Sequence, residues 1–279
     1  MGNKGPLANT SEISRFKEVA PSLFTYNLRI NGPGALIYAH GLGACRYVEY
    51  ASVLLGLLPG LILDVGCGRS ILPSYLLTMG FFVVGLDVDE EALRWQKKWG
   101  VEVVLASGTN LPFRDSAFNM VCAISSIEHI PGDGDTMAVK EMERVLATGG
   151  RGVITVPFSH GTASVTSDQF YGILSYLKAF RPLIKALFDR LGLRRGGYFM
   201  RTYDRASLRR RIIDPLGDCA YSLSFFGNKL AKYVYKALPM SVVSVLEFLL
   251  ALLSTAFSEE EGDGVIISFS KGGLGNKKR

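Results

Sequence analysis

Leu61-Ile-Leu-Asp-Val-Gly-Cys-Gly-Arg-Ser70 is an apolar run carrying one acid, then two glycines that bracket a single residue, then the start of a helical pattern. Apolar strand, tight glycine turn and helix start together predict the first strand–helix unit of a nucleotide-type α/β fold. Gly66 and Gly68 carry no Cβ. They accept backbone angles closed to other residues and let a ligand lie against the chain, beside the amides of a helix N-terminus.

The spacing restricts the ligand. A dinucleotide fingerprint, G-x-G-x-x-G, would put its third glycine at position 71, which is Ile71. Asp64, just ahead of the turn, is a poor neighbour for a pyrophosphate and a good one for an ammonium group. Phe81-Phe-Val-Val-Gly-Leu-Asp87 reads as a second buried strand ending in an acid, whose carboxylate can take both hydroxyls of a ribose. The expected ligand is a nucleoside with a cationic tail and no diphosphate. S-adenosylmethionine fits that description.

Further pieces follow in order: Leu111-Pro-Phe113, Ile127-Glu-His-Ile130, and Arg144-Val-Leu leading through Gly149-Gly-Arg to Ile154-Thr-Val-Pro157. With Asp64 to Gly68 and Gly85-Leu-Asp87, this set resembles the class I S-adenosylmethionine-dependent methyltransferases, in the small-molecule and lipid-tail group called type 11. The resemblance covers roughly positions 45 to 157. It implies a Rossmann-like sheet of seven strands, mostly parallel with the last antiparallel, and S-adenosylmethionine along strands one to four. By the same resemblance Gly66 and Gly68 admit the cofactor, and Asp87 with Val88 beside it holds the ribose. Ser107, Gly108 and Asn110 then lie near the adenine, and Asp64 and Ser125 face the methionine end. On the helix before the first strand, Arg46 and Tyr47 either reach the methionine carboxylate or serve helix packing.

Two residues depart from the family pattern. Ser107 stands where an acid usually accepts the adenine amino group, and a hydroxyl accepts more weakly than a carboxylate. Asn119 stands where relatives usually carry Asp. His129, at the carboxyl end of the fourth strand, has two readings. It is either a general base for a hydroxyl acceptor, its ordinary pKa lying near neutrality, or a structural histidine bonded to a carbonyl.

The chain has 279 residues, 48% of them hydrophobic, with a formal net charge of +6. The length suits one large α/β domain with insertions. The charge favours an anionic partner: a membrane surface, a nucleic acid or an acidic substrate. Four scattered cysteines show no C-x-x-C and no metal-ligand spacing, which points to reduced thiols, a cytoplasmic setting and no metal. No basic-then-apolar segment opens the chain, and Pro6 occupies the place where a myristoylation site wants Ser or Thr.

Helices are expected from Ser70 to Met79, from Asp89 to Gly100 and from Thr136 to Leu146, the last stopped at Thr148-Gly-Gly150. Ala206 to Ile213 is a further helix, and Cys219 to Phe226 and Val265 to Ser270 supply strands six and seven. The division is an N-terminal segment with a cofactor-lid helix, 1–60, and a methyltransferase domain, 61–279. Helical insertions at 158–200 and 228–262, after strands five and six, are apolar and basic. Both leave the carboxyl end of the parallel sheet, where α/β ligands bind. They are read as a cap over a small or lipid-like methyl acceptor that contacts a membrane peripherally through 170–195 and 237–257, or else as added core or a dimer interface. The run from Pro239 to Phe257 is about long enough to cross a bilayer. Glu247 near its middle, and the need to return strand seven to the sheet, favour a buried or interfacial helix. Two rivals stand beside this reading: an RNA methyltransferase and a non-catalytic membrane-associated protein that kept the fold. Nucleic acid is disfavoured because no RNA-binding module, Asn-Pro-Pro-Tyr motif or catalytic-cysteine motif is present.

Overall fold

The computed structural model describes residues 16–32, 44–166, 198–227, 255–256 and 262–272. In chain order the elements are helix α1 (Phe16–Asn31), α2 (Ala44–Leu54), strand β1 (Leu61–Val65), α3 (Leu72–Thr78), β2 (Phe82–Asp87), α4 (Glu90–Lys98), β3 (Glu102–Leu105) and β4 (Phe118–Ile124). After a 3-10 turn at Ile127–His129 come α5 (Gly134–Val145), β5 (Leu146–Pro157), β6 (Ala163–Thr166), β7 (Tyr198–Thr202) and α6 (Arg205–Leu208). A π-turn at Arg209–Ile213 extends α6, and β8 (Ala220–Gly227), β9 (Thr255–Ala256) and β10 (Gly264–Ser270) complete the set.

The main sheet has the order β3-β2-β1-β4-β5-β10-β8-β9. Strands β1 to β5 pair in parallel, and β10 lies antiparallel between β5 and β8. These are the seven expected strands with the expected antiparallel member. The two-residue β9 is an addition at the edge, antiparallel to the end of β8. Period-two alternation in the buried strands sorts the core onto two faces. Ile62, Val83, Met120 and Val153 join α1, α2 and α3 on one side. Leu63, Val121, Ile154 and Ile267 join α5 and the α6 region on the other. Asp64, two residues on from Ile62, falls on the α2 side.

Several expected boundaries move. Helix α3 starts at Leu72 with Ile71 as its N-cap, and not at Ser70. Ser70 still contributes, because its Oγ accepts the Leu72 N–H at 3.0 Å. Helix α5 begins at Gly134 and passes at Leu146 directly into β5, so Thr148 to Gly150 belongs to the strand and is no helix stop. Helix α4 forms as read, with the Asp89 carboxylate accepting from the Glu91 and Ala92 amides. The departure at Asn119 has a structural use: its Oδ1 accepts the Leu61 N–H at 3.0 Å and secures the start of β1.

Gly264 pairs with Pro157 on one side and with Phe226 on the other, so β5 and β8 both end at the carboxyl edge of the parallel strands. The ends of the insertions differ from the helical expectation. Strands β6 and β7 form an antiparallel ribbon at the base of the first, and Thr255–Ala256, read as part of an apolar helix, is strand β9. The expected helices and membrane contacts at 170–195 and 237–254 lie outside the described residues. Among the described residues, no helix is long and apolar enough to cross a membrane.

Candidate functional site

The turn after β1 is held by its neighbours. Gly66 and Cys67 both donate their N–H to the Leu86 carbonyl, at 2.7 and 3.0 Å, which docks the turn onto the end of β2. Gly66 has φ +73°, and a Cβ there would lie 2.5 Å from the Ser126 Cβ. Gly68 has φ +47°, and an added Cβ would meet nothing nearer than Asp87 Oδ2 at 4.0 Å. The first glycine is therefore required by close packing and handedness, and the second leaves open space above the turn.

From below, Gln96 of α4 fixes the same turn. Its buried side-chain amide donates to the carbonyls of Gly68 at 3.0 Å and Ser70 at 2.8 Å, with a weaker contact to Cys67 at 3.5 Å. Asp87 closes the turn at its far end. One carboxylate oxygen accepts the Gly68 N–H at 2.7 Å and the other accepts the Asp89 N–H at 2.9 Å. A carboxylate has about four acceptor positions, so two remain for ribose hydroxyls.

A cleft of about 270 Å³ opens beside this turn, lined by Arg46, Tyr50, Asp64, Gly66 to Ser70, Ile124 and Ser125. Burial pushes the Asp64 carboxyl up to about 7; the Cys122 thiol, 3.4 Å away, and Arg46 pull against that, and Asp87 adds to it. Burial likewise pushes the Tyr50 phenol up to about 12, and its OH bonds Ser70 Oγ at 2.8 Å. Arg46 reaches the Ile124 carbonyl at 3.2 Å and pairs with Glu49 at 3.0 Å. One cleft thus carries a guanidinium and a buried carboxylate, the two charges needed by a zwitterionic α-amino-acid group.

The structure brings Asp64, Gly66, Gly68 and Ser125 together, with Asp87 at the edge through Gly68. Tyr47 is 2% exposed within the α1–α2 core, and Tyr50, one turn later, lines the cleft in its place. Val88 is 70% exposed just past β2. It lies beside the end of β3, since Asp87 pairs with Leu105 and Ala106 donates to the Asp87 carbonyl at 3.1 Å. Ser107, Gly108 and Asn110 follow there, outside the cleft lining. Ser107 Oγ is engaged locally, with the Thr109 hydroxyl at 2.8 Å and the Thr109 N–H at 3.2 Å. Gly108 is buried and a Cβ would come within 3.0 Å of Val65, while Asn110 is exposed. The Leu111-Pro-Phe113 segment is held by Glu141 and Arg144. Glu141 accepts the Leu111 N–H at 2.7 Å, and Arg144 donates to the carbonyls of Leu111 and Phe113.

His129 stands on the turn that follows β4. Its Nδ1 bonds the Phe199 carbonyl of β7 at 2.8 Å, which makes Nδ1 the donor and leaves the lone pair of the neutral ring on Nε2. Desolvation of the ring lowers its pKa below the ordinary value, opposed by the Phe199 carbonyl and assisted by Arg46. The side chain is 43% exposed, with Glu128 Oε1 3.9 Å from Nε2. Glu128 is buried, and its carboxyl is pushed up to about 8. Among the described residues, no cluster of His, Cys, Asp or Glu could hold a metal ion.

Four contributing residues were not singled out in the sequence: Glu49, Tyr50, Gln96 and Thr155. Glu49 and Tyr50 lie three and four residues after Arg46, on one helix face, a spacing that could have flagged them. Gln96 offered a weaker signal as a polar residue on the apolar side of an amphipathic helix. Thr155 offered none.

A family model described as a methyltransferase domain matches residues 63–154. The probable tRNA methyltransferase 9B of Mus musculus is 36% identical over 101 residues, a match spanning 35% of this chain and 22% of that protein. The ubiquinone biosynthesis O-methyltransferase of Nitrosomonas europaea is 23% identical over 161 residues, 54% of this chain and 63% of that one. The chain thus spans about a fifth of the first relative and under two thirds of the second. A Thermotoga maritima S-adenosylmethionine-dependent methyltransferase, a possible histamine N-methyltransferase, shares the fold with a TM-score of 0.52 at 16% identity, over 93% of this chain and 99% of that one. A geranyl diphosphate methyltransferase in complex with GPP and sinefungin gives 0.53 at 13% identity, over 88% and 93%. Sheet order, glycine turn, charged cleft and family match agree: residues 63–154 match a methyltransferase domain, and the fold is the one shared by S-adenosylmethionine-dependent methyltransferases.

Proposed function

We propose that this chain transfers a methyl group from S-adenosylmethionine to the oxygen or carbon of a small or lipid-like acceptor, with His129 as general base. When bound, the cofactor supplies an electrophilic methyl on a sulfonium, and its transfer to a lone pair leaves a neutral thioether. Arg46 and Asp64 bind the carboxylate and ammonium of its amino-acid end, Gly68 leaves room above the turn, and Asp87 takes the ribose. The adenine is assigned to the ends of β2 and β3, between Val88 and the segment Ser107 to Asn110.

The Nδ1 bond of His129 to the Phe199 carbonyl is the one a structural histidine would make, and the base role rests on what that bond leaves: a lone pair on Nε2 of a side chain 43% exposed. The bond fixes the tautomer, and the lowered pKa keeps the ring neutral at pH 7. Nε2 can then take the proton that a hydroxyl or activated carbon acid releases as it attacks the methyl group. Because the carbonyl of Phe199 in β7 holds His129, the acceptor is assigned to the space beside His129 and β7. The test is a screen of small and lipid-like acceptors with labelled cofactor, with and without anionic vesicles. A lipid-like acceptor methylated faster on vesicles supports the reading, and a rate indifferent to them removes the membrane from it.

RNA is the second reading, favoured by the names of the tRNA methyltransferases among the relatives and by the net charge of +6. The match to the mouse protein is 101 residues long and spans 22% of that protein, so it speaks for the methyltransferase fold and not for the choice of acceptor. Retention of RNA that weakens steeply with salt, together with methylation of RNA, would replace the small-molecule reading.

A further inference from the structure

We infer that Glu49 is a positioning residue that fixes Arg46 at the carboxylate-binding end of the cleft and fastens helix α2 to the ends of β4 and β5. The inference rests on the cofactor reading above and adds a residue that neither motif nor family match contains. Glu49 is 4% exposed, and its carboxylate is shared among three partners. Oε1 accepts the Ser125 hydroxyl at 2.6 Å and the Thr155 hydroxyl at 2.9 Å. Oε2 pairs with Arg46 at 3.0 Å. Thr155 in turn accepts the Ser125 N–H at 3.0 Å, and Ser125 is held at φ +43°, a backbone region where a non-glycine residue is uncommon.

The arrangement ties three parts of the chain, at 46–49, 125 and 155, around one buried carboxylate. Arg46 lies on the first turn of α2 and is 29% exposed, so its long side chain needs a partner to hold one geometry. Glu49 supplies it from the helix's own face at i+3, and Ser125 and Thr155 hold Glu49. The Ser125 hydroxyl therefore serves the cleft through Glu49. Removing Glu49 takes away the charged partner of Arg46 and leaves its contact with the Ile124 carbonyl, so the guanidinium is held less tightly; the effect falls on the amino-acid end of the ligand, leaving the nucleoside end unaffected.

Two ligands separate this role from general support of the fold. S-adenosylhomocysteine carries the α-amino-acid group, and 5′-methylthioadenosine has the same thioether nucleoside without it. In calorimetric titration, Glu49→Gln should raise the Kd for S-adenosylhomocysteine about tenfold or more and change that for 5′-methylthioadenosine by less than about twofold. Arg46→Gln should give the same selective loss, and the double variant should be no weaker than Arg46→Gln alone. Should Glu49→Gln fail to fold, the near-isosteric Thr155→Val should show a smaller loss with the same selectivity. Equal weakening of both ligands, no weakening of either, or additive losses in the double variant would overturn the inference. Wild-type protein that binds neither ligand would defeat the cofactor reading itself, and this inference with it.

Discussion

The two ends of the site are built differently. At the cofactor end, the glycine turn is shaped from close by in sequence: its amides bond the Leu86 carbonyl, the Asp87 carboxylate and the Gln96 amide hold its far side, and Ser126 comes from further along, packed against Gly66. At the proposed acceptor end, the side chain assigned as base, His129, is held by the carbonyl of Phe199, 70 residues downstream. A turn shaped by its own backbone tolerates side-chain change and keeps its sequence signature. A site assembled from distant segments is free to vary with the acceptor. This contrast explains why the family is readable from a short stretch, whereas the acceptor is not.

The comparison breaks most sharply at His129. His129→Ala should lower kcat by roughly 10² to 10⁴-fold and leave the Kd of S-adenosylhomocysteine unchanged. The pH profile of kcat should rise through a pKa below the ordinary histidine value, and that dependence should vanish in the variant. A loss confined to Tm, with kcat preserved, would return His129 to a structural role.

Asp64 tests the other end. Its carboxyl is held at about 7 in the folded chain, against an ordinary value of 3.8. A cationic ammonium favours the ionised form, so S-adenosylhomocysteine should bind more tightly as pH rises from 6 to 8, and Asp64→Asn should weaken it roughly tenfold to a hundredfold. The sign for stability is opposite. The folded chain holds a proton that the unfolded chain has lost, so this contribution to stability is fully present below pH 4 and is lost as pH rises to about 7. Glu128, pushed up to about 8, acts in the same direction. Asp64→Asn should therefore raise the Tm of the ligand-free protein at pH 8, by a few degrees for about 1–3 kcal/mol. A fall in Tm, or affinity independent of pH, would contradict the assignment.

Smaller effects sharpen the contrast. Gln96→Leu removes the donor beneath the glycine turn and should weaken S-adenosylhomocysteine about three- to tenfold with the acceptor KM unchanged, together with faster amide exchange confined to residues 66–70. Asn119→Ala breaks the bond to the Leu61 N–H at the opposite end of the sheet. It should cost about 1 kcal/mol in denaturant unfolding and leave affinity within about twofold, which would confirm that this departure from the family pattern concerns the fold alone.

How much was legible in the sequence follows the same division. The strand positions and the glycine turn were readable because hydrophobic periodicity and glycine spacing act over a few residues, while the arrangement of the sheet came only with the family resemblance. Helix edges moved by two residues or so where a local cap competed with packing, as at Ser70, whose hydroxyl caps Leu72 from outside the helix. Tyr47 and Tyr50 could not be told apart by type. Both are aromatic residues on one short helix and both are 2% exposed in one core cluster, and only the rotation of α2 against the sheet brings the Tyr50 hydroxyl to the cleft. Thr155 was invisible because its partner, Glu49, is 106 residues away.

The most direct test of the central claim is calorimetric titration of the purified protein with S-adenosylhomocysteine, repeated with Asp87→Ala. Binding in the wild type should be roughly micromolar, with a loss of at least about a hundredfold in the variant, since the carboxylate that shapes the turn is also the one assigned to the ribose. Absence of binding in the wild type, or equal affinity in both proteins, would contradict it.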